Sequence, residues 1–175
     1  VSIDYLANFR TPKTRLTMRK IDALLLEYGE SHKNAFNKKV HWICVPLIFW
    51  SVVGLFWSIP NGLLVQALGD HWFANWALVA LAAASVYYFM LSVPLAIGLI
   101  GFAGACLFII FSIAAASSFP MWGIALIVFA LAWIGQFYGH KIEGKKPSFL
   151  KDLQFLLIGP AWLLHFIYKK VGVKY

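Results

Sequence analysis

Apolar side chains gather into four runs, 42–59, 72–91, 93–116 and 121–138, separated by short polar punctuation. Each run holds about 18 to 24 residues, enough at 1.5 Å per residue to cross a hydrocarbon layer about 30 Å thick. Pro60-Asn61-Gly62 closes the first run and Ser117-Ser118-Phe119-Pro120 the third. Only Ser92 to Pro94 part the second and third runs, which predicts a tight hairpin. Ahead of the runs, residues 17–32 carry the period of an amphipathic helix. Ile21, Leu24, Leu25 and Tyr28 fall at i, i+3, i+4 and i+7, with Arg19, Lys20, Asp22 and Glu30 elsewhere. Such a helix is too polar to span and lies along the membrane surface or caps the bundle. Behind the runs, residues 149–170 are apolar from Leu153 to Tyr168 but interrupted at Gly159-Pro160, which predicts an interfacial or re-entrant helix pair. Residues 1–16 read as irregular. The pattern predicts one all-α integral membrane domain over 1–175. It has four transmembrane helices, an N-terminal amphipathic helix and a C-terminal interfacial or re-entrant pair.

Composition agrees with a chain solvated by lipid. Hydrophobic residues make up 61% and charged residues 13%, where a soluble domain carries about 25% charged. All fifteen Lys and Arg lie outside residues 41–139, and Asp70 is the only formal charge between Val40 and His140. The net charge of +8 therefore flanks membrane segments, and a nucleic-acid partner is excluded as its explanation. An even number of crossings puts both basic termini on the cytoplasmic side and the Asp70–His71 loop opposite. The membrane is a bacterial inner membrane or the endoplasmic reticulum, according to source. Cys44 and Cys106 sit inside apolar runs and give neither a disulfide framework nor metal-ligand spacing. The polar, basic first twenty residues do not have the form of a cleavable signal peptide.

Four of the five histidines fall at the cytoplasmic end of this topology. His32 ends the surface helix, His41 opens the first span, His140 closes the fourth, and His165 can return there through the tail. On one continuous helix His32 and His41 would stand about 900° apart in rotation, on opposite faces. Their convergence requires a break, for which KNAFNKK, with Asn34 and Asn37, is the candidate. Glu143 follows His140 at i+3, and Gln136 lies one turn before it on the same face. Neutral imidazoles near a carboxylate suit a divalent iron or zinc ion. Glu143 either joins that site or neutralises Lys145 or Lys146.

The segments that carry these residues, YGESHKNAFNKKVHWICVPL and WIGQFYGHKIEGKKPSFLKDLQFLLIGPAWLL, resemble the signature regions of the yeast-type 2-hydroxy fatty acid dioxygenase family. The matching positions are His32, Asn37, His41, Pro46, Gln136, Gly139, His140, Glu143 and Pro147. The resemblance implies an Fe(2+)-dependent oxidoreductase of fatty acid α-oxidation, acting in sphingolipid (sphingoid-base) breakdown. It would use dioxygen, without 2-oxoglutarate, to shorten a long-chain 2-hydroxy fatty acid by one carbon. His32, His41, His140 and His165 become the expected metal ligands, and Glu143 a ligand or an orienting partner. Asn37, Lys39, Gln136 and Lys141 become candidate substrate contacts, with Lys33 and Lys38 as further attractors of a carboxylate. A di-iron desaturase is a poor alternative, since it needs roughly eight histidines in clustered boxes and this chain has five. A non-enzymatic four-helix scaffold or a small transporter is the competing class. The span interiors hold Ser, Asn75, Cys and Gly and no Asp, Glu, Lys, Arg or His, which argues against a transporter.

Overall fold

The computed structural model describes residues 18–144 and 149–175, with 149–154 as backbone. Residues 1–16 and Lys145, Lys146 and Pro147, which figured in the sequence reading, lie outside the described residues. The described residues form helices and connections only: α1 (Lys20–Glu30), α2 (Ala35–Trp57), α3 (Gly62–Leu68), α4 (Trp76–Leu91), α5 (Val93–Ala116), α6 (Met121–Glu143) and α7 (Phe149–Val171).

α2, α5 and α6 are each long and apolar enough to cross a membrane. α4 has 16 residues and rises about 24 Å, less than a hydrocarbon core. It nevertheless carries the chain from one end of the bundle to the other. At its start the Asn75 side chain caps the helix through Ala77 N (2.8 Å) and donates to the carbonyl of Trp57 at the end of α2. Near its end Tyr88 is buried with Tyr28, Val45 and Leu95 at the opposite end. One residue, Ser92, then turns the chain into α5, the tight hairpin that the sequence predicts.

α2 is the central helix. Half of its apolar window is buried, against 22% for α5 and 28% for α6, so the outer helices turn most of their apolar surface outward. Phe108, Phe111, Leu131 and Ile134 are among the exposed side chains, an apolar surface suited to lipid. α6 packs closely on α2 because its seam carries small residues. A Cβ on Gly135 would come within 2.8 Å of Cys44 Sγ, and one on Gly54 within 3.2 Å of Ala125 Cβ. Such seams let membrane helices approach without a side chain between them.

α1 buries Ile21, Leu24, Leu25 and Tyr28, the stripe that its period marks. These pack on Ile158, Ala161 and Trp162 of α7 in one core. The C-terminal segment is one helix and not the expected pair, since Pro160 lies inside α7. Two tertiary contacts brace the turn around it. Pro160 leaves the Leu156 carbonyl without its helical donor, and next to it Tyr88 Oη donates to the Leu157 carbonyl (2.7 Å). At Gly159 both α2 and α1 come close, with Val45 Cγ1 3.0 Å and Tyr28 Oη 3.2 Å from where its Cβ would be. The Gly-Pro pair read as a break is thus a packing contact.

Candidate metal centre

The break between His32 and His41 falls at Ser31–Asn34. α1 ends at Glu30 with Ser31 as its cap. Asn34 starts α2, its side-chain oxygen accepting from Phe36 N (2.8 Å) and Asn37 N (3.3 Å). His32 therefore lies in a connection, free of helical register, and its ring turns onto the second turn of α2. Ring centroids are 4.1 Å apart for His32 and His41, 5.0 Å for His41 and His140, and 5.3 Å for His32 and His140. One ring nitrogen of each lies within 4.8 Å of the other two, and among the described residues this is the group that can hold a metal ion. His32 and His41 are buried and His140 half-buried.

The backbone sets the tautomers. His32 Nδ1 lies 2.5 Å from the Tyr28 carbonyl and His41 Nδ1 lies 2.9 Å from the Asn37 carbonyl. A carbonyl only accepts, so each Nδ1 carries the proton and each Nε2 keeps its lone pair. Metal-ligating histidines are usually oriented in this way. His32 Nε2 is buried with no hydrogen-bond partner, which is costly unless a ligand completes it. Burial pulls the pKa of His32 down to about 4 against the opposing pull of the Tyr28 carbonyl. The ring is neutral at pH 7 and competent to bind a cation.

Glu143 closes the site from outside. Its Oε1 accepts from Lys33 N (2.9 Å), and its Oε2 from Asn34 N (2.8 Å) and Asn37 Nδ2 (3.1 Å). The carboxylate thus sits on the N-terminus of α2, where backbone N–H groups favour an anion. It ties the end of α6, which carries His140, to the connection that carries His32. Asn37, fully buried, also donates to the Ser31 carbonyl (3.1 Å). Gly139 makes this possible, because a Cβ there would collide with Asn37 Oδ1. Gln136 is buried on α6, with its side chain beside His41. Lys39 and Lys141 are exposed, outside the cluster.

His165 does not join the three. Trp162 fills the position on α7 that faces His32, with ring centroids 5.3 Å apart. One turn later His165 Nδ1 pairs with the Tyr175 hydroxyl. His71 lies in the loop at the far end, stacked on Phe73. The sequence reading missed Tyr28 and Trp162 as parts of the site. Tyr28 stacks on His32 at 4.2 Å and 13°, and with Trp162 (5.3 Å away,) it forms a buried aromatic wall. The i−4 spacing of Tyr28 from His32 was available as a signal but is equally that of a core stripe. Nothing in the sequence marks Trp162.

No curated protein and no solved structure matches the chain. A family model does match, over residues 18–171, which takes in every helix from α1 to α7 and all three clustered histidines. With that extent of agreement, the chain belongs to the Mpo1-like family, described as 2-hydroxy-palmitic acid dioxygenase Mpo1-like.

Proposed function

We propose that the protein is an Fe(2+)-dependent dioxygenase that shortens long-chain 2-hydroxy fatty acids by one carbon at the membrane interface. The observation that carries this reading is the convergence of His32, His41 and His140 at one end of an apolar bundle. Two of these rings are held at Nδ1 by backbone carbonyls, and the Nε2 of His32 has no hydrogen-bond partner. Three imidazoles leave positions for further ligands on a divalent ion. Iron, when bound, supplies the redox chemistry that lets dioxygen react with an organic acid.

The chain's own residues do the rest. His32, His41 and His140 hold the ion. Glu143 and Asn37 hold the two arms of the cluster together. Tyr28 and Trp162 keep water from one side of it. Gln136, against His41 within the bundle, is placed to meet a bound substrate. Lys39 and Lys141, with Lys33 and Lys38, draw the carboxylate to the surface. A 2-hydroxy acid suits this depth, because its carboxylate and hydroxyl are polar and its chain belongs in lipid.

The same reading places four crossings in the membrane, α4 included, with both basic termini on the cytoplasmic side. α4 is required because α5 starts at the histidine end and α2 finishes at the other. The test of function is metal analysis of detergent-purified protein with oxygen uptake on 2-hydroxypalmitate. Stoichiometric iron and substrate-dependent uptake are expected. A metal-free, inactive protein after iron loading would favour the scaffold reading.

A further inference from the structure

An apolar groove of about 160 Å³ lies between α2, α5 and α7. Trp42 and Pro46 line it from α2, Gly98 and Phe102 from α5, and Leu163 and Ile167 from α7. Its volume is well below the roughly 300–1,000 Å³ of pockets that enclose a whole drug-sized molecule. It suits a stretch of one narrow chain.

Three observations point to its occupant. First, the lining is apolar throughout. A Cβ on Gly98 would come within 2.6 Å of Leu164 Cδ2 and collide with Tyr168 Oη, so glycine keeps α5 close to α7 at this level. Second, positive charge stands one helical turn from the lining. Lys38 and Lys39 precede Trp42 at i−4 and i−3, and Lys170 follows Ile167 at i+3. All three are exposed. An apolar trough with a cationic rim complements an anionic amphiphile. Third, the groove adjoins the histidine cluster through a ladder of rings. Trp42 lies 6.4 Å from Phe166, Phe166 4.7 Å from Trp162, and Trp162 5.3 Å from His32.

We infer that this groove seats the alkyl chain of a free long-chain carboxylate, with the Lys38, Lys39 and Lys170 rim holding the acid at the interface. The inference rests on the proposed fatty-acid chemistry and names where the tail of that substrate lies. Phe102 closes the inner end, packed against Phe49 at 5.1 Å. It lies four residues, about 6 Å, beyond Gly98 along α5, and it sets how much chain the groove accepts.

The probe is palmitate carrying a mid-chain diazirine, which has no 2-hydroxyl and needs no turnover. The full protein in phosphatidylcholine nanodiscs is photolabelled and the sites are mapped by peptide mass spectrometry. Label is expected on Trp42, Leu163 and Ile167, reduced about tenfold by excess palmitate. Ile167→Trp, at a half-exposed position, should fill the groove and remove at least nine-tenths of the label, while Ile167→Ala keeps it. Lys38→Gln, Lys39→Gln and Lys170→Gln combined should weaken labelling about tenfold. Phe102→Ala should shift competition from palmitate toward longer acids. Label spread over the outer faces of α5 and α6, or label that excess palmitate leaves unchanged, would overturn the inference and assign the groove to bilayer lipid. Labelling in the groove of a protein without oxygen uptake would support the seat and count against the dioxygenase. Oxygen uptake without groove labelling would do the reverse.

Discussion

Glu143→Gln separates holding a ligand from being one. The wild-type carboxylate accepts three N–H donors at 2.8–3.1 Å, two of them on Oε2. A glutamine can keep its oxygen at the Oε2 position and satisfy Asn34 N and Asn37 Nδ2. Its amide nitrogen then faces Lys33 N, so one bond is lost and the other two lose their charge. Hydrogen bonds to charged groups contribute about 1.5–3 kcal/mol each when sheltered. Glu143 is only partly buried, and solvent screening reduces that figure. The expected cost is about 1–2 kcal/mol, or roughly 2–8 °C in melting temperature for a chain of this size. The looser connection shifts His32 relative to His140, and iron affinity should fall about 10- to 100-fold, as for other partners that orient metal ligands. The assay is competition with a chelator of known affinity on detergent-purified protein, beside a melting curve from circular dichroism. Complete loss of iron at saturating metal, with an unchanged melting curve, would make Glu143 a direct ligand and refute the clasp. A change below twofold in both readouts would show that the clasp positions nothing.

His32→Ala, His41→Ala and His140→Ala should each abolish stoichiometric iron and oxygen uptake, while His165→Ala and His71→Ala retain both. Iron kept by all three of the first group would end the metal-centre reading, and iron lost with His165→Ala would return that residue to the ligand set. Gly139→Ala should destabilise the α2–α6 seam by about 1–3 kcal/mol, since its Cβ would collide with Asn37 Oδ1; a melting temperature equal to wild type would show that the seam can relax there. In a background with Cys44 and Cys106 replaced by Ala, cysteines placed at the exposed positions Trp72 and Val173 should be labelled by an impermeant maleimide from opposite faces of sealed vesicles. Labelling from one face would refute four crossings.

Much of the helix layout was legible because membrane helices and their connections obey short-range rules. The third apolar run and α5 share the bounds 93 and 116, since Pro94 and Ser117 sit where a helix starts and stops. The buried face of α1 was legible for a similar reason: a period of 3.6 needs only a few neighbouring residues. α7 was misread because Pro160 acts locally as a breaker, and the contacts that brace its turn are remote. Tyr88 supplies a hydroxyl from 69 residues away, and the space that Gly159 leaves is filled by Val45 and Tyr28. Neither partner can be found from the Gly-Pro pair itself.

The site divides along the same line. Spacing alone shows that His32 and His41 cannot share a face of one helix, so a break was required, and Asn34 was available to cap the helix that starts after it. The break's position, however, depends on Glu143, whose carboxylate accepts from Lys33 N at a separation of 110 residues. Helix period places Glu143 beside His140, where it resembles a fourth ligand. The donors that claim it, Lys33 N, Asn34 N and Asn37 Nδ2, come together only where the connection turns into α2. A carboxylate next to metal-ligating histidines has two possible neighbours, an ion or a helix N-terminus. Here the donors at the start of α2 hold it, and through them it ties the segments that carry His32 and His140. His165 shows the converse. It shares the right end of the bundle in sequence, but Trp162 already covers His32 from α7. The end of a bundle can be read from a sequence; which side chain of a packed helix reaches its centre is decided by the helix's rotation against its neighbours.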